Sequence, residues 1–316
     1  MVGNRITNVA IVGASGNSGR FMAQAILETG KHTLTALTRA GSNANLPAGV
    51  ICKVIDYTKP ETIVAALRGQ DALVVTLPGQ APLETEVALI EAAGEAGVSW
   101  ILNDWAVDTQ HEDLVKDVPP LQKKVSVRKA IEKLGKSNYI SLCTSFWYEW
   151  SMAIPDAFGI DLINHTAIFF DEGDTRITIS TWPQVGRAVA AILSLPVKAE
   201  GSAACLETLK NKVVYCKSFT INQQEMLESA CRVTQTTKDD WEISKVPCEK
   251  RYEEGKQQMN KGDFDGFVKV LYTRVFYPDG CGNIDHKGTI NELLGLPVED
   301  LDTATLAAIE RAKAQP

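Results

Sequence analysis

The sequence is poor in the features that mark several protein classes. Its seven cysteines, at positions 52, 143, 205, 216, 231, 248 and 281, are scattered and odd in number, and no C-x-x-C occurs. Neither a disulfide framework nor a thiol-ligated metal is expected, and the cysteines read as free thiols of a reducing, cytoplasmic setting. Only four histidines are present, far apart at 32, 111, 165 and 286. There is no H-E-x-x-H, so no metal site is expected. No apolar run approaches the ~20 residues of a membrane helix, and only Arg5 precedes the first strand, with no apolar stretch of signal-peptide length. Basic runs are also missing and the formal net charge is −7, which argues against a nucleic-acid partner. What remains is an ordinary globular composition, 45% hydrophobic and 22% charged over 316 residues, enough for one large domain or two.

The most informative stretch is Asn8-Val9-Ala10-Ile11-Val12-Gly13-Ala14-Ser15-Gly16-Asn17-Ser18-Gly19-Arg20-Phe21. Val9, Ile11 and Val12 read as a strand buried on both faces. Phe21, Met22, Ala25 and Ile26 fit a helical stripe that Gly30 ends. Between them, glycines fall at 13, 16 and 19. A strand that turns through glycines into a helix N-terminus presents free backbone N–H groups to an anion. Glycine lets that backbone approach a pyrophosphate closely. Gly13, Ser15, Gly16, Asn17, Ser18 and Gly19 are therefore expected to hold a dinucleotide; the alternative is a glycine turn without a ligand.

Downstream, strand and helix signals alternate. Strands are expected at 33–37, running on to Thr38-Arg39, at 51–55, at 72–77 and at 100–102, with helices at 61–68 and 84–96. A helix at 119–134 and a strand at 139–143 follow. This alternation implies an α/β, Rossmann-like, doubly wound parallel sheet. Ligands of such sheets lie at the carboxyl ends of the strands, which makes Arg39, Asp56, Leu77 and Pro78 candidate cofactor neighbours. Beyond 150 the alternation becomes irregular. A half-exposed strand is expected at 177–180, a helix at 185–195, one strand over 212–220 and a helix at 223–232. The expected division is a dinucleotide-binding domain, 1–155, and a smaller substrate-binding part, 156–316, with some segments returning to the first sheet.

The end of the second strand carries Thr38-Arg39 and no carboxylate. An acidic residue there would accept from the ribose 2′-OH of NAD, whereas an arginine offers a fork of donors to a 2′-phosphate. The cofactor is therefore expected to be NADP(H), although the loop 40–49 holds no second basic residue. Asp56 either flanks the adenine or is a turn aspartate.

The segment Gly13 to Phe21, together with Thr38-Arg39, resembles the NmrA-like atypical short-chain dehydrogenase/reductases, and within them the isoflavone reductase-like enzymes. Pro120 to Glu132 is similar to their K-x-x-I-R-R-x-I-E segment. The strand running into Thr144-Ser145-Phe146 is similar to the segment beneath their nicotinamide, which implies a cofactor contact for Phe146. Leu102 to Asp108 departs from their P-S-E-F-G pattern. The resemblance implies NADPH-dependent reduction of small, mostly aromatic molecules, as in secondary metabolism, with Lys124 as the catalytic acid/base. Periodicity alone leaves Lys123 and Lys124 both flanking the stripe Val127, Ile131, Leu134. A free lysine, with a pKa of about 10.4, is a poor acid/base near neutrality, and burial beside a cation is what brings such a group lower. Tyr252 and Lys256 match the Y-x-x-x-K spacing of ordinary short-chain dehydrogenases but fall in a highly charged stretch and read as coincidence. The aromatic run Phe146, Trp147, Tyr148, Trp150 either lines an apolar pocket or fills a core.

The leading expectation is an NADPH-dependent reductase of a small hydrophobic, aromatic or unsaturated carbonyl compound, monomeric or homodimeric. Two alternatives stand beside it: an NmrA-like redox sensor that binds NADP(H) and a protein partner without catalysis, and a non-redox isomerase or cyclase on the same fold.

Overall fold

The computed structural model describes residues 3–42, 45–199 and 204–314. The first half of the chain runs β1 (Asn8–Val12), α1 (Gly19–Glu28), β2 (Thr33–Arg39), β3 (Ile51–Ile55), α2 (Pro60–Leu67), β4 (Ala72–Val75), α3 (Leu83–Ala96), β5 (Trp100–Asp104), α4 (Glu112–Asp117), α5 (Gln122–Leu134) and β6 (Asn138–Cys143). The second half runs β7 (Phe146–Trp147), α6 (Tyr148–Ser151), α7 (Pro155–Phe158), β8 (Ile160–Asp161), β9 (Thr166–Phe170), β10 (Ile177–Ser180), α8 (Trp182–Ser194), α9 (Leu206–Leu209), β11 (Lys212–Tyr215), β12 (Phe219–Ile221), α10 (Gln223–Thr234), β13 (Glu242–Val246), α11 (Cys248–Asn260), α12 (Phe264–Arg274) and α13 (Leu301–Lys313).

Seven strands form one sheet in the order β11-β6-β5-β4-β1-β2-β3, and all of its pairings are parallel. The fold is α/β and Rossmann-like. Val9, Ile11 and Val12 are at most 2% exposed because both faces of the sheet are covered. One face packs Met22, Ala23 and Ile26 of α1 and Val185, Val189 and Ile192 of α8. The other packs Ile63, Val64 and Leu67 of α2, Leu89 and Ile90 of α3, and Val127 and Ile131 of α5. The strand order reverses between β1 and β4, the point where such sheets open a crevice at their carboxyl edge. Gly97 and Gly135 end α3 and α5 in the left-handed conformation, as helix-ending glycines do.

A second core gathers β8 to β10, α6, α7 and α10 to α13, and it also takes in Val107, Leu114, Val118 and Leu121 from the first half. In the other direction, β11 returns to the edge of the large sheet and α8 packs on α1. Three expectations are corrected here. The single strand at 212–220 is two: β11 lies beside β6, and β12 pairs with β10 in a separate sheet. The strand at 177–180 is buried at every position, because β10 is the central strand between β12 and β7. The helix expected from 119 opens as a 3₁₀ turn, Pro119–Leu121, before α5 begins.

Candidate functional site at the carboxyl edge of the sheet

The turn after β1 is built by what its glycines lack. Gly13 has φ +84°, and a Cβ there would stand 2.1 Å from the Thr76 carbonyl oxygen at the end of β4. A Cβ on Gly19 would stand 2.0 Å from the carbonyl oxygen of Gly13. Side chains are thus excluded where β1, β4 and α1 converge. Ser18 is buried, with its Oγ 3.2 Å from Thr76 Oγ1. Ser15, Gly16 and Asn17 are exposed, and among the described residues the N–H groups of Asn17 and Ser18 donate to no backbone carbonyl. The result is an open cradle of donors at the positive end of α1, suited to a pyrophosphate. Half-buried Leu77 and exposed Pro78 continue from Thr76 along its rim.

The ends of β2 and β3 lie on the same edge. Arg39 is exposed and makes no ion pair among the described residues; its charge acts on Tyr57, whose phenol is raised by burial and drawn back by that charge. Asp56 is engaged in its own turn. It accepts from Thr58 N at 2.9 Å and Thr58 Oγ1 at 2.7 Å, and these bonds, with Lys59 at 3.7 Å, hold its carboxyl below the ordinary range. These are the bonds of a turn aspartate.

On the other side of β4, the chain leaves β5 through two non-glycine residues of positive φ, Asp104 (96°) and Trp105 (54°). The Trp105 indole donates to the Val75 carbonyl at 2.6 Å, tying the ends of β4 and β5 together. Asp104 is 2% exposed. Its Oδ2 accepts from the Arg128 guanidinium and from Thr109 Oγ1 at 3.3 Å, while its Oδ1 has no partner. Burial pushes this carboxyl up, against the pull of Lys124 and Arg128. Lys124 precedes Arg128 by one helical turn, so the two share a face of α5. Lys123 faces elsewhere: its Nζ donates to the Ala81 carbonyl and lies 3.6 Å from buried Glu86. Lys124, half-buried, makes no such bond among the described residues.

Phe146, expected against the cofactor, is packed in the second core. Its ring stacks on Tyr272 at 4.0 Å and meets Phe158 edge-on at 5.9 Å. It lines a gap too narrow for a water molecule, beside Val107, Asp108 and Ser145. The reason is strand alternation. With β7 paired to β10, Phe146 points into the second core and Trp147 packs against the first. Tyr252 donates to the Asp117 carbonyl at 2.7 Å from within that second core and Lys256 pairs with Glu253, so neither joins the carboxyl-edge site. Among the described residues no cluster of His, Cys, Asp or Glu is arranged to hold a metal ion, and no helix is long and apolar enough to cross a membrane. Sequence reasoning placed Asp104 at a strand end but missed its pairing with Arg128; the available signal was the four-residue spacing from Lys124.

Residues 6–155 match the NmrA-like family. Over nearly its whole length the chain is similar to the oxidoreductase aprR of Aspergillus flavus, 27% identical over 302 residues covering 93% of this chain and 96% of that protein. It is similar to the isoflavone reductase of Pisum sativum at 23% over 201 residues, 56% of this chain and 63% of that one. Among solved structures, an NADPH-dependent quinone oxidoreductase of Escherichia coli superposes with a TM-score of 0.70 at 19% identity, covering 94% of this chain and 98% of the other.

Proposed function

We propose, from the match of residues 6–155 to the NmrA-like family, that the chain is an NADPH-dependent reductase of a small hydrophobic, aromatic or unsaturated carbonyl compound, with Lys124 as its acid/base. The observation that carries this reading is one juxtaposition on one sheet edge. The cradle at Gly13 to Gly19 stands at the end of β1, and at the end of β5 a buried carboxylate, Asp104, one oxygen of which has no partner among the described residues, feels the charge of Lys124. The named relatives are an oxidoreductase and a reductase, and a structural neighbour is NADPH-dependent. Residues 1–155 would hold the cofactor and 156–316 cover the substrate.

The residues fit a nicotinamide dinucleotide. The backbone of Ser15 to Ser18 would hold the pyrophosphate, with Leu77 and Pro78 along the rim, and Arg39 would meet a 2′-phosphate with its planar donors. When bound, the reduced nicotinamide supplies a hydride. Lys124 holds a proton at Nζ and delivers it to the substrate oxygen, where negative charge develops. Asp104, fixed by Arg128, draws the ammonium to one place by charge and so acts as a positioning residue. A sensor that only binds the dinucleotide has no use for an unpaired lysine at this point.

The test is NADPH oxidation over a panel of aromatic ketones, enones and quinones, with Lys124→Ala alongside the parent chain. Turnover is expected on at least one member, and K124A is expected to lose it while still binding NADPH in a fluorescence titration. Persistent K124A turnover would remove the lysine from the chemistry. NADPH binding without turnover on any substrate would favour the sensor.

A further inference from the structure

Six buried side-chain polar atoms lack a partner among the described residues, and the three that are N–H donors fall in one cluster: Trp147 Nε1, Trp182 Nε1 and Arg311 Nε. Trp182, 3% exposed, is its centre. Phe21 stacks on it at 5.8 Å, and Trp147 and Trp150 lie 6.2 and 6.3 Å away. Two guanidinium groups approach the same ring. Arg20 Cζ is 6.0 Å from its centroid and 4.9 Å from that of Phe21. Arg311 Cζ is 5.1 Å from it and 4.2 Å from that of Trp150. Neither arginine makes an ion pair among the described residues. Burial, followed by the charge of Arg20, holds Arg311 below its ordinary range. The neighbouring carboxylate, Glu149, acts on Arg311 by charge, but its oxygens lie 3.1 and 3.2 Å from the Trp182 backbone N–H, from which they accept.

Ring faces hold guanidinium planes by cation–π attraction but accept none of their in-plane N–H groups. Each buried donor left without an acceptor costs about 1–3 kcal/mol, and two cations beside one ring repel each other. What the cluster lacks is therefore an acceptor carrying negative charge. Arg20 and Phe21 follow Gly19 directly in the first turn of α1, and Trp147 follows the 144–146 segment, so the cluster borders the dinucleotide cradle on the face covered by α8. Exposed Arg20 and half-buried Arg311 leave it open on the guanidinium side.

We propose that Arg20, Arg311 and the indole N–H groups of Trp147 and Trp182 form a binding site for an anionic oxygen group, a carboxylate or a phosphate. The site goes beyond the reductase reading and does not depend on Lys124. Two sources carry that chemistry: an acidic group on the substrate and a phosphate of the dinucleotide. Three of the six tryptophans belong to the cluster, so intrinsic fluorescence reports on it.

The experiment titrates inorganic phosphate and benzoate, with benzamide as the neutral control, into the full chain and into Arg20→Gln and Arg311→Gln. A saturable change with at least one anion and none with benzamide is expected. The dissociation constant should weaken about ten-fold in each variant, ~1.4 kcal/mol. K124A should bind the anion as the parent does, which separates a failure here from a failure of the lysine assignment. Saturating NADPH decides the source: displacement of the anion assigns the site to a cofactor phosphate, and persistence assigns it to an acidic group of the substrate. No saturable response to either anion, an equal response to benzamide, or unchanged affinity in either variant overturns the proposal. Exposed Arg20 can be replaced without disturbing a core, so R20Q keeps the test decisive if R311Q does not fold.

Discussion

Single side chains carry the sharpest consequences. Arg39 is exposed at the end of β2 and makes no ion pair among the described residues, and the proposed function sets the 2′-phosphate against it. R39A is expected to weaken NADPH about ten-fold, ~1.4 kcal/mol, and to leave NADH nearly unchanged; equal loss of both in a titration would remove Arg39 from the cofactor. Glu149 offers a pH test. Burial is the main cause that lifts its carboxyl to about 7, with the Glu299 charge adding to it. A carboxyl raised in the folded state keeps its proton there while the unfolded chain has already released it. Stability therefore falls as pH rises from about 4.5 to about 7, and the loss is complete above that window. E149Q, which keeps an acceptor for the Trp182 N–H, should flatten this slope and leave the variant about 3 kcal/mol ahead at pH 8. Denaturant midpoints at pH 4.5 and pH 8 measure it, and parallel curves for the two proteins would count against it. The lysine pair shows what the sequence withheld at this scale. Lys123 and Lys124 both flank one apolar stripe, and only the positions of Ala81 and Glu86, brought in by α3 and the loop before it, separate them.

At the scale of elements, the contact that sets the cradle is the crossing of α1 and α8. Gly186 makes it possible: a Cβ there would stand 2.5 Å from the Phe21 carbonyl oxygen. Backbone on the receiving side cannot yield as a flexible side chain would. G186A is therefore expected to destabilise the protein by about 1–3 kcal/mol, even though alanine is the better helix former by ~1 kcal/mol. Because Phe21 lies in the first turn of α1, NADPH affinity should fall with it. A thermal melt and a cofactor titration check both, and an unchanged melting temperature would mean that the helices separate freely. Most elements of the large sheet were legible, since β-branched runs, glycine stops and helical stripes are local signals. The exchange between sheets at 212–220 was not, because Lys212 to Thr220 reads as one β-rich stretch and the break at Cys216 to Ser218 depends on which strands wait on either side.

At the scale of the molecule, two cores interlock. Val107, Leu114, Val118 and Leu121 enter the second from the first half of the chain, and β11 and α8 return to the first sheet. A ligand bound at the carboxyl edge is thus expected to stabilise the whole chain. NADPH at 100 times its dissociation constant should add about 2.7 kcal/mol, a rise of roughly 4 °C in melting temperature for a chain of this length. The check is calorimetry over a range of NADPH concentrations: one transition should move as a whole, and two transitions of which only one responds would show that the cores unfold separately.

The sequence by itself determined the parallel sheet, the glycine cradle and the arginine at the end of β2. Each rests on residues adjacent in the chain, where backbone freedom, strand period and helix start are written side by side. Only the tertiary structure decided the rest. It sent Phe146 into the second core by pairing β7 with β10, left Lys124 without an ion pair among the described residues while Lys123 found Glu86, and paired Asp104 with Arg128. It also drew Arg20 and Arg311, 291 positions apart, to one tryptophan. These outcomes depend on which distant side chains meet in a space without water, and pairings of that kind are fixed only when the chain has closed on itself.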